Sequence, residues 1–272
     1  MLIDRKTMGK YSIYGGKKGN KRLEILSGTI RSGTTCFLEK AGLKAGMNCL
    51  DLGCGMGDVT LAIAKRIGDN GHILGVDIDR QSIQLALGSA ELSKLKQADF
   101  KVYDAYELDD KGTYDMVYSR FLLSHLSNPK AVLQKIWLAL KPKGKVLIED
   151  TDFSGHFSNP LSIHFNSYVS LYQRLLEKRG ADANLGQKLV WLLKEAGFVN
   201  VEFQISQPTH IGGKGKLMAE ITFDGISKAL IEEDIISIDQ AKNIHSGLVN
   251  FRKRNDSLMS LPRIFQVSAT RP

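Results

Sequence analysis

From about residue 47 the chain repeats one pattern, and that pattern restricts the fold more than any other feature. A short apolar run is followed by a turn and then by apolar residues at helical spacing. The first run is Cys49-Leu50-Asp51-Leu52, which ends in glycines, and Val59, Ala62, Ile63 and Ile67 then recur every three or four residues. The second is Ile73-Leu74-Gly75-Val76-Asp77, with a helix expected from about Ser82 to Leu95. A third strand is expected at Phe100-Lys101-Val102-Tyr103 and a fourth at Tyr114-Asp115-Met116-Val117-Tyr118, with a helix from about Pro129 to Leu140. A turn at Pro142-Lys143-Gly144 leads into a fifth strand, Val146-Leu147-Ile148-Glu149. Apolar strands alternating with helices imply an α/β fold, with a buried parallel sheet and right-handed crossovers.

The flanks are less regular. Residues 1–20 read as irregular, with Tyr11 and Tyr14 either in a lid or in a packed arm. Leu23, Leu26, Ile30, Phe37 and Leu38 lie on one helical face, a pattern weakened by Gly28 and Gly33. Towards the C-terminus, helices are expected at Phe165–Lys178, Leu185–Ala196, about 217–231 and about 238–253. Strands are expected at Val201–Ile205 and Ile264–Val267. No linker divides the chain, so 1–272 reads as one domain. It carries an N-terminal arm and helix over 1–34 and helical insertions at 153–190 and 212–258.

The chemistry lies in the turn after the first strand, Asp51-Leu52-Gly53-Cys54-Gly55-Met56-Gly57. Ligands of open α/β sheets bind beyond the carboxyl ends of the strands. Glycines there allow close backbone approach and positive φ. The spacing is neither the G-x-G-x-x-G of dinucleotide folds nor a phosphate loop ending in Lys-Ser/Thr. Asp51 before the loop suits a cationic ligand better than a pyrophosphate. Asp77, at the end of the second strand, can accept both hydroxyls of a ribose, and Asp104, after the third, can accept from an adenine amino group. The competing reading makes these acids ordinary strand-end caps and loop residues. Cys54 reads as a small packing residue rather than a nucleophile, and Met56 as loop filler.

Together these segments resemble class I S-adenosylmethionine-dependent methyltransferases, most nearly bacterial small-molecule methyltransferases. The likeness is tight over about residues 35–150 and looser beyond. It rests on Asp51–Gly57, Asp77, Asp104-Ala105, the segment Tyr114–Arg120 and the turn Leu140–Lys145. It implies a Rossmann-like doubly wound domain, whose seven-stranded sheet is mostly parallel with one antiparallel strand. It also implies S-adenosylmethionine as cofactor, held by Asp51, Gly53, Cys54, Gly55, Gly57, Asp77, Ile78, Asp104, Ala105 and Arg120. Ile78 would lie beside the adenine and Arg120 towards the methionine end.

His125 is the candidate catalytic residue, as a general base or substrate contact; the alternative is a histidine packing a loop. Asp150, Asp152 and His156 follow the fifth strand, where hydrogen-bond anchoring is favoured over a metal site, so no metal is expected. Ser119-Arg120-Phe121-Leu122 lacks the Asn/Asp-Pro-Pro-aromatic motif of many enzymes that methylate planar nitrogens. In the expected insertion at about 153–190, Phe153, Phe157, Phe165, Tyr168 and Tyr172 can roof an apolar small-molecule pocket; the alternative is simple core packing of an extra helix.

The expected methyl acceptor is a small, partly apolar molecule. The net charge of +8 over 272 residues keeps a nucleic-acid-modifying enzyme as an alternative, and a catalytically silent cofactor binder is the other. Against nucleic acid, the basic groups Lys17-Lys18, Lys21-Arg22 and Arg252-Lys253-Arg254 are scattered and lack an aromatic platform. Three cysteines without a CxxC pair fit a reducing compartment. With no secretory signal and no run near the about 18 apolar residues of a span, the chain is expected to be soluble and cytoplasmic, with no membrane partner. The oligomeric state is not legible.

Overall fold

The computed structural model describes residues 16–272; Tyr11 and Tyr14 lie outside them. Helix α1 (Gly16–Lys40) precedes β1 (Asn48–Leu52), α2 (Asp58–Ile67), β2 (His72–Asp77), α3 (Arg80–Ser93), β3 (Ala98–Val102) and β4 (Tyr114–Arg120). Then come α4 (Pro129–Ala139), β5 (Leu140–Asp152), β6 (Ser158–Asn159), α5 (Ile163–Lys178), α6 (Leu189–Glu195), β7 (Val199–Ser206) and β8 (Thr209–His210). The chain ends with α7 (Met218–Glu232), α8 (Ile238–Lys253), β9 (Leu258–Ser260) and β10 (Arg263–Thr270).

Seven strands form one sheet in the order β3-β2-β1-β4-β5-β10-β7. The pairs from β3 to β5 are parallel, and β10 runs antiparallel to both β5 and β7. This is the seven-stranded, mostly parallel sheet with one antiparallel strand that the resemblance implies. The order reverses between β1 and β4, so their carboxyl ends open a crevice at the switch point. β1 is near-continuously apolar because helices cover both sheet faces: Leu50, Leu52, Val117 and Ile148 join the α4 and α6 side, whereas Cys49, Met116 and Leu147 join the α2 side.

Three differences from the sequence reading have physical causes. The helix expected from about residue 23 starts at Gly16 and runs through both doubtful glycines. Neither glycine is forced by packing: a Cβ at Gly33 would make only an ordinary contact, 3.5 Å from Ser206 Oγ, and one at Gly28 would meet nothing within 4 Å. The expected insertion 153–190 divides in two. Its α5 packs with α7 and α8 around Phe165, Tyr168, Phe223 and Phe251, whereas Leu185 and Leu189 already belong to the core under the sheet. A small sheet ordered β6-β9-β8 was not legible, because strands of two or three residues carry no periodicity.

Candidate functional site

The turn after β1 is pinned to β2 by backbone bonds: the Gly53 and Cys54 N–H groups donate to Val76 O at 2.8 and 2.9 Å. The Gly55 N–H donates to Asp77 Oδ2 at 2.9 Å, and the Asp79 N–H to Asp77 Oδ1 at 2.9 Å. Asp77 therefore fixes the loop while facing the crevice. Burial, offset in part by these bonds, raises its carboxyl above the ordinary range. Asp51 is buried at the end of β1 and accepts from Thr60 Oγ1 at 2.6 Å. Burial pushes it up to about 6 against the lowering effects of the Thr60 bond and the Arg120 charge.

Arg120, at the end of β4, is held from below. Its Nη1 donates to Thr34 Oγ1 at 3.3 Å, and Thr34 donates to Glu149 Oε2 at 3.1 Å. Buried Glu149 also accepts from Tyr118 Oη at 2.6 Å and from Gln266 Nε2 at 3.0 Å. Asp104 caps a 3-10 turn, accepting from the Tyr106 N–H at 2.9 Å.

Asp51, Asp77, Asp104 and Arg120 face one cavity of about 1380 Å³. Ligand pockets usually span about 300–1,000 Å³, so this one has room for two molecules. Asp51, Gly53, Cys54, Gly55, Asp77, Ile78, Asp104, Ala105, Arg120 and His125 all line it. Gly57 is the exception among the expected cofactor residues. A Cβ there would lie 2.7 Å from Phe100 Cε1, so this glycine seats α2 against the sheet, with φ +79° at the helix N-cap. Gly55 differs: at φ +53° its Cβ would meet nothing within 4 Å, because it faces open cavity.

The opposite wall comes from distant parts of the chain. Arg22 and Leu26 from α1, Phe153 and Tyr168 beside α5, Met218 from α7 and Met259 from β9 contribute to it. Phe153 stacks on Tyr172 at a centroid distance of 3.9 Å. Arg22 Nε donates to Thr222 Oγ1 at 3.0 Å. Helix α1 closes over the loop through Ser27 and Arg31, both bonded to Asp58; the Arg31 pair spans 3.1 Å. The sequence reading places Phe153, Tyr168 and Tyr172 over an apolar pocket, and all three line the cavity. It does not signal Leu26, Met218 or Met259, which read as ordinary core, or Arg22, which reads as surface charge.

His125 and His156 also line the cavity, and burial lowers each to about 4, leaving both imidazoles neutral at pH 7. Burial pushes the Cys54 thiol far up, which disarms it as a nucleophile. Asp150 accepts from the Ser124 and Thr151 N–H groups at 3.0 and 2.8 Å, and Asp152 pairs with Arg263 Nη2 at 2.7 Å. Among the described residues no three His, Cys, Asp or Glu side chains gather as a metal site.

A methyltransferase-domain family model matches residues 43–197, and the chain belongs to this family of class I S-adenosylmethionine-dependent methyltransferases. It is 31% identical over 181 residues to a demethylmenaquinone methyltransferase of Lactobacillus johnsonii, a match covering 61% of this chain and 73% of that one. It is likewise 31% identical over 166 residues to phosphoethanolamine N-methyltransferase 1 of Arabidopsis thaliana, but that match covers 31% of the relative. In fold it is similar to the Haemonchus contortus phosphoethanolamine N-methyltransferase 2 solved with phosphomonomethylethanolamine and S-adenosylhomocysteine. There the TM-score is 0.52 at 20% identity, over 93% of this chain and 52% of the other.

The residues present fit the cofactor this class uses. Gly55 leaves a cradle that a Cβ would enter, Asp77 aims a carboxylate across it, and the apolar Ile78 side chain stands 63% exposed at the cavity's edge.

Proposed function

We propose that the chain methylates a small, partly apolar molecule held inside the cavity. The observation that carries this reading is the division of one cavity into a carboxylate-bearing wall at the strand ends and an aromatic and thioether wall under the helices. In this reading Asp77 accepts from the ribose, Ile78 and Ala105 flank the adenine, and Asp104 accepts from its amino group. The loop Gly53-Cys54-Gly55 passes beside the methionine portion, whose charged end faces Asp51 and Arg120.

When bound, the cofactor supplies a methyl group already activated by its sulfonium. The protein's work is then to align the acceptor, exclude water and take up a proton where the acceptor releases one. His125 is the candidate for the last task, because its imidazole borders the cavity and is neutral; the burial that keeps it neutral also makes it a weak base, so it serves a proton that methylation has already made acidic. The roof of α1, α5 and α7 favours an acceptor that fits inside over a polymer.

Two measurements test this. S-adenosylmethionine and S-adenosylhomocysteine should raise the melting temperature, whereas NAD should not; a shift with NAD alone would overturn the cofactor assignment. Incubation of the enzyme with methyl-labelled S-adenosylmethionine and a cell extract should place the label in low-molecular-weight, solvent-extractable products. Label recovered in RNA or DNA instead would replace the small-molecule reading.

A further inference from the structure

The basic run Arg252-Lys253-Arg254 has no part in the cavity, yet the fold gives it specific company. Phe165, near the start of α5, lies 6.4 Å from Phe251 at the end of α8, which brings residues 161–163 beside the run. Lys216 Nζ donates to Arg254 O at 2.8 Å and to Ser257 O at 3.1 Å, which brings the segment before α7 to the same place. In the small sheet, Asn159 pairs with Leu258 and His210 with Met259. The chain beyond Asn159 and the chain beyond His210 therefore leave the sheet at one end.

Three large aliphatic side chains stand out there: Leu161 is 85% exposed, Ile163 75% and Ile211 77%. Exposure of this degree, concentrated at one tip, marks an interaction surface. Residues 214–220 and 252–257 carry five Lys or Arg against two acids, Glu220 and Asp256. Those acids pair with Arg252 and Arg254 at 2.8 Å each, while Lys214 and Lys253 remain exposed. No acid lies in 157–166 or 207–213.

We propose that this tip docks peripherally on a bilayer carrying anionic lipid, with Leu161, Ile163 and Ile211 entering the interface and Lys214 and Lys253 meeting the headgroups. Apolar side chains flanked by the exposed Lys214 and Lys253 gain from burial among acyl chains and from the negative surface potential together. Nucleic acid fits less well, because the protruding side chains are aliphatic and give bases no ring to stack on. A second copy fits less well too, because a two-fold contact sets the same cation-rich surface against itself. The sequence expectation of no membrane partner weighed only spans. No helix of the described residues is long and apolar enough to cross a bilayer, and a peripheral contact requires none. The docking is independent of methyl transfer.

The test is co-sedimentation of the full chain with vesicles, either phosphatidylcholine alone or with about one third phosphatidylglycerol. The wild type should pellet with the anionic vesicles, far less with the neutral ones, and less at high salt. The triple variant Leu161→Ser, Ile163→Ser, Ile211→Ser should lower partitioning by at least about tenfold. The pair Lys214→Gln, Lys253→Gln should lower it by about tenfold on anionic vesicles only. Unchanged melting temperature and S-adenosylhomocysteine affinity would show that both variants are folded. The proposal is overturned by a wild type that ignores anionic vesicles, or by a triple variant that binds them equally well. It is also overturned if the tip variants abolish RNA binding or dissolve a dimer while vesicle binding is absent.

Discussion

The two walls of the cavity are made in opposite ways. The strand-end wall is local: Asp51, Gly53 and Gly55 come from one turn, and Asp77 and Ile78 from the next strand, tied to that turn by Val76 and Asp77. The helical wall is assembled from α1, α5, α7 and β9, parts far apart in the chain, as in the Arg22–Thr222 bond across 200 residues. Backbone conformation and paired carboxylates govern the first wall, and side-chain packing governs the second. Damage to the first should therefore remove cofactor binding from a folded protein. Damage to the second should cost stability or acceptor recognition and spare the cofactor.

The largest expected effect lies in the core that backs the helical wall, where Phe165 packs. Phe165→Ala should lower stability by about 3–5 kcal/mol, the range for emptying a fully buried aromatic site. Cofactor affinity of the remaining folded fraction, measured by calorimetry below the melting transition, should match the wild type. A parallel loss of affinity would show that the walls are one unit.

Gly55→Val tests the other side. With its Cβ in the cradle at φ +53°, the variant should bind S-adenosylmethionine at least about a hundredfold more weakly while circular dichroism stays near native. Gly57→Val is the internal control, since its Cβ would press on Phe100 and cost about 1–3 kcal/mol of stability. A folded Gly55→Val protein that binds at wild-type strength would remove this loop from the site.

Asp77→Ala should weaken the cofactor by about 1.5–3 kcal/mol, the scale of hydrogen bonds to a charged group. Asp77→Asn, which keeps an oxygen for the loop, should lose less. Equal affinity for wild type and Asp77→Ala in a calorimeter would dismiss the ribose contact.

The smallest effect is a pH dependence. Asp51 titrates near 6 in the free protein, so below that pH it is neutral and attracts a cationic ligand less. Cofactor affinity should rise from about pH 5 to about pH 7 and then level, by at most about tenfold per unit. Thr60→Val removes a bond that favours the charged form, so the midpoint should move upward. A flat profile in both proteins would mean that Asp51 does not meet a cation.

The same division explains what was legible beforehand. Apolar runs located β1, β2 and β4 to within a residue or two, because burial on both faces imposes a continuous pattern. Strand β5 is longer than expected, running from Leu140 through the expected turn at Pro142–Gly144 to Asp152. Helix α8 was expected at 238–253 and spans Ile238–Lys253, where Ser237 and Gln240 form a capping box. The carboxylates were legible because each sits at the end of a recognisable strand. The role of Gly57 was not, because identical residues two positions apart differ only in what surrounds them: cavity for Gly55, the Phe100 ring for Gly57.

By itself, then, the sequence determined the doubly wound sheet, the turn after β1 and the acids at successive strand ends, since all of these follow from local spacing and backbone conformation. Only the tertiary structure decided that α1 closes over that turn through Asp58, that α1 and α7 join α5 over the cavity, and that burial leaves His125 neutral. It also decided that three exposed aliphatic residues and a basic run share one tip. The reason is physical: packing partners, desolvation and surface adjacency depend on segments far apart in the chain, and no local pattern carries that information.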